Sequence, residues 1–335
     1  MSSVYIADIY PGEEKAIDEP VASLLSQLQD LFDGSPLWLI LQSDILDKDA
    51  NNLDWLSDDL FDQFLNKSSQ ISSKNPALLL IDSPGGYSRV AYRISRLFNR
   101  RAGFIAIIPR YAKSASTLLS LGSEYIYMGK DAELGPLDAQ LPDVDREGII
   151  SALDEVHALE QLNNNALSIC IDTLNQLLEA TRKKTEFVLP HALEYSANFV
   201  RPLLENVDAV HYTQMARVLR VAEDYAIRLL ILGQKHSFDN ARAIARFLVQ
   251  RYAEHEFAID YREADGLNLK VKMASPKLSE IFTELIPYLN GGINLVGQFT
   301  KKEEPQNNNK ISNTKKAKKT AKTPKKPSKT VRSKT

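Results

Sequence analysis

Two short segments carry residue types whose spacing suits nucleophilic chemistry. Asp82-Ser83-Pro84-Gly85-Gly86 closes one apolar run, and Tyr111-Ala112-Lys113-Ser114-Ala115-Ser116-Thr117 lies between another apolar run and a helical pattern. Proline followed by two glycines makes a tight turn with no side chain above it, so another backbone can come close. Ser114 stands where a helix begins, and the free N–H groups and dipole of a helix start favour negative charge. A serine alkoxide, or the oxyanion of a tetrahedral intermediate, is stabilised in such a place. Both segments follow strands, and open α/β sheets collect ligands at the carboxyl ends of their strands. Taken one at a time the signals are common: most serines at helix starts are caps, and Pro-Gly turns are frequent.

The combination is more specific. DSPGG, then IPRYAKSASTLLSLGSEYIYMG, then AELGPLDAQ resembles the serine dehydrogenase proteinase family, which has the Clp-protease/crotonase fold and is related to signal peptide peptidase A. MARVLRVAEDYAIRLL and EHEFAIDYREADGLNL are similar to later segments of that family. The likeness spans roughly 36–270 and is most specific over 79–142. It implies an α/β fold, a Clp-protease/crotonase-like core of ββα units, and a serine endopeptidase working through an acyl-enzyme. In that alignment Ser114 is the nucleophile. Gly85 and Gly86 match the oxyanion glycines, and the Ala115 amide is the second donor. Glu133 to Asp138 form the wall beyond the nucleophile. The family pattern reads Ser-Ala-Gly-Thr, where this chain has Ser116 for the glycine. The preceding strand usually ends in His-Thr, where this chain has Asp82-Ser83.

A serine nucleophile needs a proton acceptor. In Clp proteases a histidine follows the serine by about twenty-five residues, but here that region reads Asp138-Ala139-Gln140, and no histidine occurs between Ser114 and His157. Signal peptide peptidases use a lysine, which serves when desolvation lowers its pKa. Lys113 is one candidate base, with Lys183 and Lys184 in a basic run at a helix end. The histidines are His157, His191, His211, His236 and His255, of which only His255 falls in a segment with family likeness. Asp138 can orient a base or bind substrate, or simply cap a helix. No HExxH, CxxC or paired-histidine spacing suggests a catalytic metal. P-loop and dinucleotide fingerprints are absent too, so no cofactor is expected.

The elements that must position these residues are legible as hydrophobic patterns. Residues 36–45, 75–83, 103–109 and 124–129 read as short buried strands, and 54–66, 87–99 and 114–122 as the helices between them. Apolar strands alternating with helices mean parallel βαβ units. Residues 1–20 read as an irregular or extended entry before a helix at 21–32. The second half reads as helices over 151–185, with a break near Asn163–Asn165, and over 213–232, 238–252 and 276–290. A short helix starts after Asp260, and 267–273 reads as an edge strand. The expected divisions are a 1–35 extension, a 36–142 α/β core, a 143–300 helical region and a disordered 301–335 tail.

The whole chain of 335 residues is 44% hydrophobic and 25% charged, which excludes a wholly disordered or fibrous protein. Its net charge of −2 conceals a split. Residues 301–335 carry 13 basic and 2 acidic side chains, while the first 300 carry 28 basic and 41 acidic. A lysine-rich tail of this kind can neutralise phosphates, so weak nucleic-acid or polyanion contact is one expectation for it. The single cysteine, Cys170, excludes an internal disulfide. With no signal-like start and no run long enough to span a bilayer, a cytoplasmic protein with no membrane contact is expected. The resemblance adds a homo-oligomer acting on peptide or protein substrates. Two other readings remain: an inactive scaffold of the same fold whose basic tail recruits nucleic acid or an acidic partner, and an acyl-CoA enzyme of the crotonase type.

Overall fold

Buried parallel strands read as uninterrupted apolar runs because both of their faces are covered. LWLIL and ALLLI meet this requirement in the computed structural model, which describes residues 3–9, 13–42, 55–138, 140–142, 149–205, 207–252 and 254–303. The lysine-rich stretch from 304 onward lies outside the described residues.

The first half contains β1 (Ser3–Ile9), β2 (Glu13–Ala16), α1 (Glu19–Asp30), β3 (Leu37–Leu41), α2 (Asp58–Asn66), β4 (Ala77–Asp82), α3 (Ser88–Asn99), β5 (Phe104–Ile108), β6 (Tyr111–Ala112), α4 (Ala115–Leu121), β7 (Ile126–Met128) and β8 (Glu133–Leu134). Then come β9 (Gln140–Pro142), β10 (Ile149–Ser151), α5 (Ala152–Thr181), α6 (Thr185–Leu204), α7 (Ala209–Leu232), α8 (Phe238–Gln250), α9 (Tyr261–Gly266), β11 (Val271–Met273), α10 (Pro276–Asn290) and β12 (Leu295–Glu303).

The main sheet runs β11-β7-β5-β4-β3-β12-β1-β2. Its centre is parallel, with Leu39 beside Leu80 and Leu79 beside Ala106. β12 joins antiparallel to β3, and β1 antiparallel to β12. Alternate side chains of each strand go to opposite faces. Trp38, Ile40, Leu79, Ile81, Ala106 and Ile108 pack under α2, α3, α4, α7 and α8. Leu37, Leu39, Leu41, Leu78, Leu80 and Ile107 pack against α1 and α10.

Several expectations are corrected. The entry segment, read as irregular or extended, is extended: it contains β1 and β2, held through the pairing of β1 with β12. α5 runs through Asn163–Asn165 without a break. Those asparagines are exposed, so no polar group is buried by keeping the helix. α6 lies where no element is expected, and it holds Pro190 and Pro202, each of which removes a helical hydrogen bond. It forms because Val188, Ala192, Ser196 and Val200 make one buried row, and Ser196 Oγ–H donates to Ala166 O of α5. The edge-strand reading over 267–273 narrows to β11, parallel to β7 at one end of the sheet. Among the described residues no helix is long and apolar enough to cross a membrane.

Candidate active site

At the carboxyl end of the parallel strands, four segments bridge in succession. Ser83 pairs with Ala112, Ala112 with Leu134, and Leu134 with Ile259. This ribbon carries the glycine turn, Ser114, Asp138 and His255 to one edge of the sheet.

Ser114 links β6 to α4 with φ 49° and ψ −117°. A left-handed φ is costly for a residue with a Cβ, and such strain concentrates where a side chain must be presented rather than buried. Ser114 stands at the N-cap of α4, yet its side chain makes no capping bond. The ordinary cap explanation therefore does not account for it. Its neighbours make room: a Cβ on Gly85 would lie 3.0 Å from Ser114 Cβ, and one on Gly135 would lie 3.1 Å from Ser114 N. Both glycines let backbone close around the serine.

Gly85 and Gly86 both have positive φ, 120° and 141°. Leu56 N–H donates to Gly85 O at 2.7 Å, and Tyr87 N–H donates to Leu56 O at 2.9 Å. Those bonds seat the turn and leave the Gly86 N–H out of the bridge. The Gly85 N–H donates to Ser83 Oγ at 3.2 Å. The Ala115 N–H belongs to the first turn of α4, where a helix leaves its amides without intrahelical acceptors. Gly86 and Ala115 are thus the two backbone donors best suited to a developing oxyanion. A Cβ at Gly86 would fall 2.4 Å from Leu56 N. Gly86→Ala is expected to destabilise the fold by roughly 2–3 kcal/mol, at the upper end of ordinary single substitutions. Thermal denaturation of the variant checks this.

The two departures from the family pattern meet each other. Ser116 Oγ–H donates to Ser83 Oγ at 2.8 Å, and Ser83 Oγ–H donates to Gln42 Oε1 at 2.6 Å. All three residues are buried. The Ser116 hydroxyl therefore ties the Ser114 turn to the Gly85–Gly86 turn. Asp82 is held away from the chemistry by Arg110, through Nε to Oδ1 at 3.1 Å and Nη2 to Oδ2 at 2.7 Å. Thr117 Oγ1–H donates to Ala112 O at 2.6 Å and accepts the Gly135 N–H at 2.9 Å, which fixes the wall beyond Ser114.

Lys113 and Asp138 have different surroundings. Lys113 Nζ is 2.7 Å from Glu133 Oε1 and lies 3.5 and 3.4 Å from the carbonyl oxygens of Glu256 and Phe257. Asp138 is buried and accepts the Ser151 hydroxyl on Oδ2 at 2.7 Å. Its Oδ2 lies 3.9 Å from His255 Nδ1. Asp138 Oδ1 and His255 Nδ1 are both buried without a hydrogen-bond partner. Burial pushes the Asp138 carboxyl above the usual carboxylate range, against the opposing pull of the Ser151 hydroxyl and His255. The other lysines and histidines singled out lie elsewhere: Lys183 and Lys184 between α5 and α6, His157 on α5, His191 on α6, His211 on α7, and His236 against Gln234.

His255 carried only a slight signal in the sequence, its position in a segment with family likeness. The antiparallel pairing of Leu134 with Ile259 brings that segment back along 134–138. The contact of Lys113 with the Glu256 and Phe257 carbonyls places it against the residue before Ser114.

The chain is similar to several known proteins over part of its length. An uncharacterized protein of Methanocaldococcus jannaschii is 25% identical over 209 residues, covering 62% of this chain and 57% of that protein. A second uncharacterized protein of the same organism is 29% identical over 113 residues, covering 31% of this chain and 39% of that one. The chain thus spans about half the length, or less, of these curated relatives. A solved structure of a membrane-bound stomatin-specific protease, a lysine-to-alanine mutant in complex with a substrate peptide, superposes with a TM-score of 0.35 at 15% identity, covering 64% of this chain and 68% of that one. Residues 61–189 match the family model of ClpP-like SDH-type serine proteinases. Gly85, Gly86, Ser114 and Asp138 all lie inside the matched segment.

Proposed function

We propose that the protein is a serine endopeptidase in which Ser114 is the nucleophile, His255 the general base and Asp138 the residue that orients it. One observation carries the reading: Ser114 is held at a left-handed φ at the start of α4 with its hydroxyl not used as a cap. Ser114 Oγ attacks the scissile carbonyl carbon, and its proton passes to His255 Nε2. The Gly86 and Ala115 N–H groups hold the oxyanion. The imidazolium then gives its proton to the leaving amine, which departs and leaves an acyl-enzyme. Water attacks the acyl carbon and loses a proton to His255, and the acid product leaves as Ser114 regains its hydrogen. His255 is preferred to Lys113 because Lys113 Nζ is already engaged by Glu133 and two backbone carbonyls, whereas His255 faces the buried Asp138. The 3.9 Å separation of His255 from Asp138 suits a site that tightens when substrate binds.

Labelling with a fluorophosphonate probe tests this reading. The full chain is expected to be labelled, and Ser114→Ala to abolish the signal. A folded wild-type chain that never reacts would remove the peptidase reading and favour the inactive scaffold. Lys113→Met is expected to change the labelling rate less than about tenfold, because the lysine is assigned no proton transfer.

A homo-oligomer is part of the proposal, and the α5–α6 pair supports it. α6 buries one row on α5 and leaves Phe187, Leu193, Tyr195 and Phe199 more than half exposed. Such an apolar face is characteristic of an interaction surface. Replacing Phe187 and Phe199 together with glutamate is expected to lower the oligomeric mass in analytical ultracentrifugation, with the helical circular dichroism retained. The proposed substrate is an extended peptide. Nucleic-acid contact finds no support among the described residues, because the expectation rested on the tail beyond them.

A further inference from the structure

Large aromatic rings normally contribute their area to a core. Trp38, the other of the chain's two tryptophans, does this and is fully buried. Trp55 does not: it is 42% exposed, and Tyr87 beside it is 48% exposed, with ring centroids 5.0 Å apart at 42°. Their position is set by the oxyanion turn. Tyr87 directly follows Gly86, and Leu56, directly after Trp55, is hydrogen-bonded to Gly85 O and to the Tyr87 N–H. Adjacent Cα atoms are about 3.8 Å apart, so the ring pair flanks the glycine assigned to the substrate carbonyl. Neither ring serves the core beneath α2 and α3.

One cluster of nearby charges is matched internally. Asp58, at the start of α2, pairs with both Arg89 and Arg93 of α3, and the Arg93 guanidinium stacks 3.6 Å over the Phe61 ring.

We propose that Trp55 and Tyr87 form a specificity subsite for a bulky apolar or aromatic side chain within two residues of the scissile bond. The inference rests on the peptidase reading for its location, but the binding it describes needs no turnover. The occupant is a substrate side chain because the pair is anchored by backbone hydrogen bonds to the turn that receives the substrate.

The test uses the full-length Ser114→Ala chain, which cannot cleave, and acetylated pentapeptide amides Ala-Ala-X-Ala-Ala with X as Phe, Leu, Ala or Glu. Tryptophan emission reports binding, because Trp38 is sealed in the core and Trp55 is not. The Phe peptide is expected to shift the emission to the blue and to bind about tenfold more tightly than the Ala or Glu peptide, the scale of one added aromatic contact. Trp55→Ala, with binding then read by calorimetry, and Tyr87→Ala should each remove that preference, while Tyr87→Phe keeps it. Equal affinities across the series, no binding of any peptide, or a preference surviving both truncations would overturn the subsite. Fluorophosphonate labelling of the wild-type chain separates the two ideas. Labelling without peptide preference leaves the peptidase and removes the subsite. Preference without labelling leaves a peptide-binding surface and removes the catalytic reading.

Discussion

Ser114→Ala is expected to lower kcat for peptide hydrolysis by on the order of 10⁶-fold, the scale seen when a serine hydrolase loses its nucleophile. The fold should be unaffected. Alanine meets the same penalty as serine at φ 49°, and the serine hydroxyl makes no capping bond whose loss would matter. Ser114→Gly separates the two roles of the position. Glycine adopts this backbone freely, so the variant is expected to be inactive yet more stable by about 1 kcal/mol. Turnover of a peptide substrate and thermal melts of the three proteins check both statements. A Ser114→Ala chain that retains hydrolysis would place the nucleophile elsewhere. A Ser114→Gly chain that melts lower than wild type would contradict the strain.

The second large effect falls on the pair behind the nucleophile. Asp138→Asn is expected to reduce kcat/KM by about 10⁴-fold, as when a triad base loses its orientation, and His255→Ala by on the order of 10⁶-fold, as when the base itself is removed. Stability should move the other way for Asp138→Asn. Burial raises the Asp138 carboxyl above its ordinary value, so between the ordinary and raised values the folded chain binds more protons than the unfolded one. Stability from that proton is fully present below the ordinary value and is lost as pH rises through the raised value. Above the raised value the ionised carboxylate therefore works against folding. Asparagine keeps an acceptor for the Ser151 hydroxyl without the charge. The variant is expected to melt at or above the wild-type temperature at pH 7 while losing activity. Because the Ser151 hydroxyl holds the carboxyl down, Ser151→Ala should move the acid limb of the kcat/KM profile to higher pH. A limb that stays in place would detach Asp138 from the catalytic titration.

Much of this protein was legible from local patterns. The runs LWLIL and ALLLI announced strands covered on both faces, and the structure lays them side by side as β3 and β4. Ser114 was legible because its position between a strand and a helix, with small residues around it, is a local property. So were the glycines of the turn, whose positive φ values few other residues tolerate.

What lay beyond reach depends on contacts between distant segments. α6 carries two prolines that argue against a helix locally, and only its buried row on α5 outweighs them. β12 continues through 301–303, expected as the start of the disordered tail, because it pairs with both β3 and β1 in the main sheet. The aromatic pair joins residues on either side of α2, and only the Leu56 bridge to Gly86 puts it beside the oxyanion turn. His255 is the clearest case. Nothing in the spacing from Ser114 marks it, because its approach to Asp138 is set by the antiparallel bridge of Leu134 with Ile259. By itself the sequence determined the parallel core and the serine at the helix start, since hydrophobic period and backbone freedom are encoded residue by residue. The tertiary structure alone decided which histidine faces the buried carboxylate, because a bridge between segments far apart in the chain leaves no periodic trace in either of them.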